Sequence, residues 1–191
     1  MLTQILLLLA STATDLLTVA LLARFALQVV RAPFRNPLGQ FLLAATNWMV
    51  VPTRRLVPSI GSYDTATLLL AWLWQGAYLG LATGLSGGLL GVSAAPVLGI
   101  ALIAVLELVK IALYLVMGVV LVSAVFSWVN PYAPMAATFD HLSQPLLRPF
   151  RRVIPPIGGV DLSPLALLLA LQVLLIVLAG VRASILPLLY S

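Results

Sequence analysis

A few polar side chains stand out in this sequence because almost everything around them is apolar. Asp15, Glu107 and Lys110 lie inside long hydrophobic runs, and Gln75 and Gln172 each lie 11 residues beyond an aspartate, Asp64 and Asp161. An isolated charge at mid-membrane costs about 2.5 kcal/mol or more on insertion scales, so these groups are expected to pair inside a helix bundle. Lys110 follows Glu107 by three residues and shares a helix face with it. Such a network would either fix helix register or carry an ion or proton. A second set is cationic: Arg54 and Arg55 precede Asp64, while Arg148, Arg151 and Arg152 precede Asp161. Guanidinium groups suit anionic lipid headgroups or an acidic partner, and one arginine of each set can pair with its own aspartate.

Other chemistries have no residues to run on. The chain lacks cysteine, which removes disulfides, thiolate metal sites, iron–sulfur clusters and covalent haem attachment. The lone His141 builds no metal site without carboxylate help, and it reads as polar cover on a short helix. No nucleophile–base pair, metal-ligand cluster or phosphate loop is visible, so neither catalysis nor a cofactor is expected. The net charge of +5 comes from arginines concentrated in two loops, pointing to a membrane surface rather than nucleic acid.

The cationic stretches are copies of one another. PTRRLVPSIGSYDTAT begins at Pro52 and PFRRVIPPIGGVDLSP at Pro149, 97 residues later. That shift aligns Pro52 with Pro149, Arg54 with Arg151, Arg55 with Arg152, Pro58 with Pro155, Ile60 with Ile157, Gly61 with Gly158, Asp64 with Asp161 and Gln75 with Gln172. Eight identities without a gap indicate an internal duplication, with residues 1–91 as a first membrane repeat and 92–191 as a second. Within each loop, prolines fix φ and are expected to exclude helix, while Gly61 and Gly158 permit a tight bend.

The elements that must hold these residues are helices in lipid. Hydrophobic residues make up 62% of the 191 and charged residues only 8%, against about 25% charged in soluble domains; mean hydropathy is +1.15. Four spans are predicted, at about 2–30, 65–85, 95–128 and 164–189, because lipid leaves no backbone group unpaired and nothing alternates like a barrel strand. The first is read as a retained helix rather than a cleaved leader, since no Lys or Arg precedes its apolar core. Asp64 is the expected cap of the second span and Ser163 of the fourth, with Pro164 at the first helical position. Residues 36–51 and 134–147 are too short to span and are read as helices in the headgroup boundary, with a re-entrant half-helix as the alternative. Gly76, Gly80 and Gly84 make a small-residue stripe for close helix approach, within the chain or in a homo-oligomer.

Seven of the ten basic residues (Arg31, Arg35, Arg54, Arg55, Arg148, Arg151 and Arg152) fall in the two loops on one side, and the connection at 83–95 has no charge. The positive-inside rule puts both loops in the cytoplasm and both termini outside, giving two parallel hairpins. Trp128 and Tyr132 then fall at the inner interface and Tyr190 at the outer one. Arg24 and Arg182 lie near enough to helix ends to snorkel, and no role is expected for them.

Two units, each with a P-x-R-R-x-x-P-x-x-G-x-x-D loop and a glutamine in the following helix, resemble the YggT family of integral membrane proteins, as do Asn36-Pro37 and Asn130-Pro131. The resemblance covers nearly the whole chain; the first copy departs from it at Ser62-Tyr63 and at Thr65-Ala66-Thr67. It implies a bacterial inner-membrane protein, with relatives linked to cytochrome haem maturation, nucleoid or division-related organisation and osmotic-stress tolerance. Two functions follow as expectations. One is a non-enzymatic factor whose arginine loops organise a membrane partner or anionic lipid. The other is a small oligomeric channel or transporter built on Asp15, Glu107 and Lys110.

Overall fold

The structure, a computed structural model, describes residues 1–58, 63–85, 94–130, 132–154 and 161–189. Among them are six α-helices: α1 Leu2–Val29, α2 Pro37–Thr53, α3 Thr65–Leu85, α4 Ala94–Val129, α5 Ala136–Val153 and α6 Ser163–Ile185, followed by a 3₁₀ turn at Leu186–Leu189. α1, α3, α4 and α6 are long and apolar enough to cross a membrane. No more than 28% of the apolar window of any of them is buried within the chain. The outer faces therefore present leucine and valine, such as Leu9, Leu169 and Val177, to the surroundings, which suits lipid as the solvent. Gly61, Pro155, Gly158, Pro131 and Tyr190 lie outside the described residues.

The order long, short, long occurs twice, and matched residues form the two cores. α1 packs on α2 and α3, and α4 on α5 and α6. Leu21, Met49, Val50 and Ala71 form one buried cluster, with Leu70 against it. Val120, Leu147, Leu167 and Leu171 form another, with Leu168 against it. Val50 and Leu147 are 97 residues apart, as are Leu70 and Leu167, so the register of the arginine loops extends into the packing.

The short helices differ from expectation. Both run further toward the arginines: α2 continues through Pro52, and α5 through Pro145 and Pro149. The prolines do not exclude helix here because all three lie on exposed faces. Each removes one backbone bond, and on an exposed face the freed carbonyl is not buried without a partner. Arg151 and Arg152 consequently sit in the last turn of α5, where cations complement the partial negative charge of a helix C-terminus. Asn36 explains the start of α2: its Oδ1 accepts the Gly39 N–H at 2.6 Å, with Pro37 at the first helical position. A Cβ at Gly39 would meet the Phe34 backbone at 2.8 Å, so only glycine fits there.

α6 also begins otherwise than predicted. Asp161, not Ser163, supplies the capping oxygen, accepting the Ser163 N–H at 2.9 Å, while the Ser163 hydroxyl is buried without a partner among the described residues. The helix ends at Ile185 and tightens into the 3₁₀ turn that contains Pro187.

Candidate functional site

Each arginine loop is closed by an ion pair between the end of a short helix and the start of the next long one. In the first, Arg54 caps the C-terminus of α2 and donates to Asp64 Oδ2 from Nη2 at 2.5 Å and Nε at 3.2 Å. The Thr67 hydroxyl donates to the same oxygen at 2.6 Å. In the second, Arg151 Nε donates to Asp161 Oδ2 at 2.8 Å. Each arginine precedes its aspartate by ten residues. The first clamp is tighter because Asp64 is only 5% exposed, whereas the Asp161 side chain is 35% exposed. Burial pushes the Asp64 carboxyl up, but the hydrogen bonds from Arg54 and Thr67 outweigh it and hold the group below its ordinary range. At Asp161 burial likewise raises, and the bonds from Ser163 and Arg151 prevail.

Pro52 and Pro149 stand two residues before the clamp arginines, on the outside of their helices. The Pro58 carbonyl accepts the Thr65 hydroxyl at 2.8 Å, tying the first loop to the base of α3. Arg55, Arg148 and Arg152 are exposed, and none has an ion-pair partner among the described residues. The clamps thus join the helix ends that flank each loop, and three guanidinium groups stay available for carboxylate or phosphate, which they can grip bidentately.

Inside the bundle the polar residues form separate groups rather than one. Gln75 Nε2 donates to Asp15 Oδ1 at 3.1 Å and to Thr18 Oγ1 at 3.2 Å, joining α3 to α1. Glu107, buried on α4, pairs with Lys110 and accepts from Arg182 Nη2 of α6 at 3.1 Å. Among the described residues no hydrogen bond or ion pair joins Asp15 to Glu107 or Lys110: Asp15, itself exposed, bonds toward α3, whereas Glu107 faces α6. Gln172 belongs to neither group and is exposed. The positions 97 residues after Asp15 and Thr18 are Ala112 and Leu115, so Gln172 lacks the acceptors that hold Gln75.

Two arginines given no role in the sequence are structural. Arg182 supplies the second cation of the Glu107 group. Arg24 is 2% exposed and donates from Nη1 to Thr46 Oγ1 at 2.7 Å and Asn47 Oδ1 at 2.8 Å, pinning α2 to α1. Ser143, 97 residues after Thr46, pins α5 to α4 through the Ser123 hydroxyl at 2.9 Å. The signal legible in the sequence is the Thr46-Asn47 pair in the apolar middle of α2. Gly76 brings α3 close to Ala104 of α4, whereas Gly80 faces open space. His141 is exposed on α5, and among the described residues no three His, Cys, Asp or Glu side chains come together as a metal site.

The family model described as CCB3/YggT matches residues 3–85 and 102–182. An uncharacterized protein of Vibrio alginolyticus is 39% identical over 86% of this chain and 88% of its own length. One of Pseudomonas aeruginosa is 37% identical over 85% and 82%, and the uncharacterized protein YggT of Escherichia coli K12 is 35% identical over 87% and 85%. No solved structure matches the chain.

Proposed function

Since the chain belongs to the CCB3/YggT family, we propose that it is a non-enzymatic, multi-pass protein of the bacterial inner membrane that organises or helps assemble a membrane partner. In this reading residues 1–91 and 92–191 are two membrane repeats, each a hairpin of spanning helices with an interfacial short helix. Both arginine loops face the cytoplasm and both termini lie outside. The observation that carries it is the pair of clamps, Arg54–Asp64 and Arg151–Asp161, in the same register of the duplicated segment. Each spends one arginine on loop shape and leaves Arg55, Arg148 and Arg152 exposed for an anionic surface. Topology alone needs the charges, not the register of proline, arginine and aspartate. Near an anionic leaflet each free arginine gains about 1 kcal/mol. Support of osmotic tolerance would follow from the partner so organised.

The channel reading draws less support, because the Asp15–Gln75 and Glu107–Lys110–Arg182 groups lie on different helix pairs. The deciding experiment replaces Arg55, Arg148 and Arg152 by Gln, leaving both clamps intact, in cells lacking the native copy. Loss of growth at high osmolarity with normal membrane levels is expected. Full growth of that variant, together with ion flux through proteoliposomes of the pure protein, would reverse the choice.

A further inference from the structure

An open groove of about 610 Å³ runs between the two halves, walled only by apolar side chains, among them Ala20, Ala23 and Leu27 of α1, Phe41 of α2, Leu115 of α4 and Phe139 of α5. It follows α1 from Ala13 to Leu27, a distance of about 21 Å at 1.5 Å per residue. That is the half of α1 nearest the arginine-bearing end, so the groove has the depth of a single leaflet.

The chain turns sharply at the groove's end. The Ala32 N–H bonds to the Leu27 carbonyl at 2.9 Å and the Arg31 N–H to the Gln28 carbonyl at 3.0 Å, the bond pattern of a Schellman cap. Ala32 is buried beside Leu27 in the cluster that floors the groove, with Phe34 and Leu38 packed against it. The residue in the left-handed position of that cap is Arg31, at φ 56°, the one positive-φ non-glycine among the described residues. Glycine adopts this conformation freely and arginine does not. Arg31 and Arg35 flank Ala32 and Phe34 in the chain between Leu27 and Leu38, which line the groove's end; both are exposed and neither is ion-paired among the described residues.

We propose that the groove holds an acyl chain of a glycerophospholipid with an anionic headgroup, whose phosphate and headgroup charge rest on Arg31 and Arg35. The pairing of an all-apolar trough with two free cations at one end matches that amphiphile. A second copy of the chain matches it poorly. Of its five acidic residues, Asp64, Glu107 and Asp161 are already ion-paired, so a copy has little negative charge to set against the two arginines. The inference rests on the membrane placement proposed above and adds to it a lipid class and a seat.

The test is native mass spectrometry of the full chain in mild detergent, with phosphatidylglycerol and phosphatidylcholine supplied together. The wild type is expected to retain one phosphatidylglycerol per chain, preferred by about fivefold for each of the two arginines. Ala23→Trp, which fills the trough, should lose retention of both lipids. Arg31→Gly with Arg35→Gln should keep a chain and abolish the headgroup preference, while Arg31→Gly alone melts no lower than wild type because the cap is relieved. No retained lipid, equal retention of both lipids by the wild type, or a dimer that Ala23→Trp dissociates would overturn the proposal. A single cysteine at Arg55, read with an impermeant maleimide, reports sidedness separately: labelling from outside with lipid still retained would defeat the cytoplasmic placement and leave the groove standing.

Discussion

Arg24 donates one guanidinium nitrogen to the Thr46 hydroxyl at 2.7 Å from a position with almost no exposure, and the same nitrogen donates to Asn47 Oδ1 at 2.8 Å. Among the described residues its hydrogen-bond acceptors are both neutral, which makes it sensitive to their loss. Thr46→Val should lower stability by about 1–3 kcal/mol, the cost of stranding a buried donor. Arg24→Met removes the charge along with its needs and should be neutral or stabilising. Thermal unfolding in detergent micelles checks the asymmetry; equal losses in both variants would contradict it.

The two clamps should respond unequally. Asp64 is buried and takes bonds from Arg54 and Thr67, whereas Asp161 is more exposed. Asp64→Asn should therefore cost about 2–3 kcal/mol and Asp161→Asn no more than about 1 kcal/mol. Unfolding curves of the two variants in one detergent give the comparison directly.

Acid should open the clamps. The folded Asp64 carboxyl lies below its ordinary value, which is about 3.9 in an unfolded chain. Its contribution to stability is therefore fully present above that value and is lost as pH falls through the folded one. The wild type should hold its melting temperature from neutral pH down to about 5 and lose it below about 4, with a shallower acid loss in Asp64→Asn. A loss centred near neutral pH would point to another group.

The long helices were legible because nothing but lipid burial explains apolar runs of that length. The clamps were legible because the duplication displayed each arginine and aspartate twice. Depth was not. α4 is 36 residues long, more than a bilayer requires, so the height of Glu107 against its neighbours depends on which part of α4 meets α6. That is why the sequence points to a snorkelling cation at Arg182, three residues from the end of α6, whereas the side chain reaches Glu107. The loop prolines Pro52 and Pro149 depart from expectation for a related reason: a proline breaks a helix only where the freed carbonyl has no other partner, and an exposed face supplies one. Gln172 shows the limit of the repeat itself: its own position was kept while its would-be partners became Ala112 and Leu115.

The two glutamines can be set against each other for that reason. Gln75→Leu takes the α3 partner from the buried Thr18 and the exposed Asp15 and should cost about 1–2 kcal/mol. Gln172→Leu, on an exposed face, should change stability by less than about 0.5 kcal/mol. Parallel melting of the two variants suffices, and a comparable loss in both would mean that Gln172 has a partner in the membrane.

Glu107 carries the sharpest non-additivity. It is buried and paired with both Lys110 and Arg182, so either cation alone still compensates it. Lys110→Met and Arg182→Met should each be tolerated within about 1 kcal/mol, because the remaining partner keeps the carboxylate charged and bonded. Removing both leaves a buried carboxylate with no cation among the described residues, beside Leu106, Leu175, Leu178 and Tyr114, and the double variant should lose about 3–5 kcal/mol. Glu107→Gln in that double background should recover most of the loss, since an amide needs no counter-ion. A double-mutant cycle in detergent, with that rescue as its third arm, decides the matter: strict additivity would mean that Glu107 finds compensation elsewhere and that Arg182 has no part in holding α6 to α4.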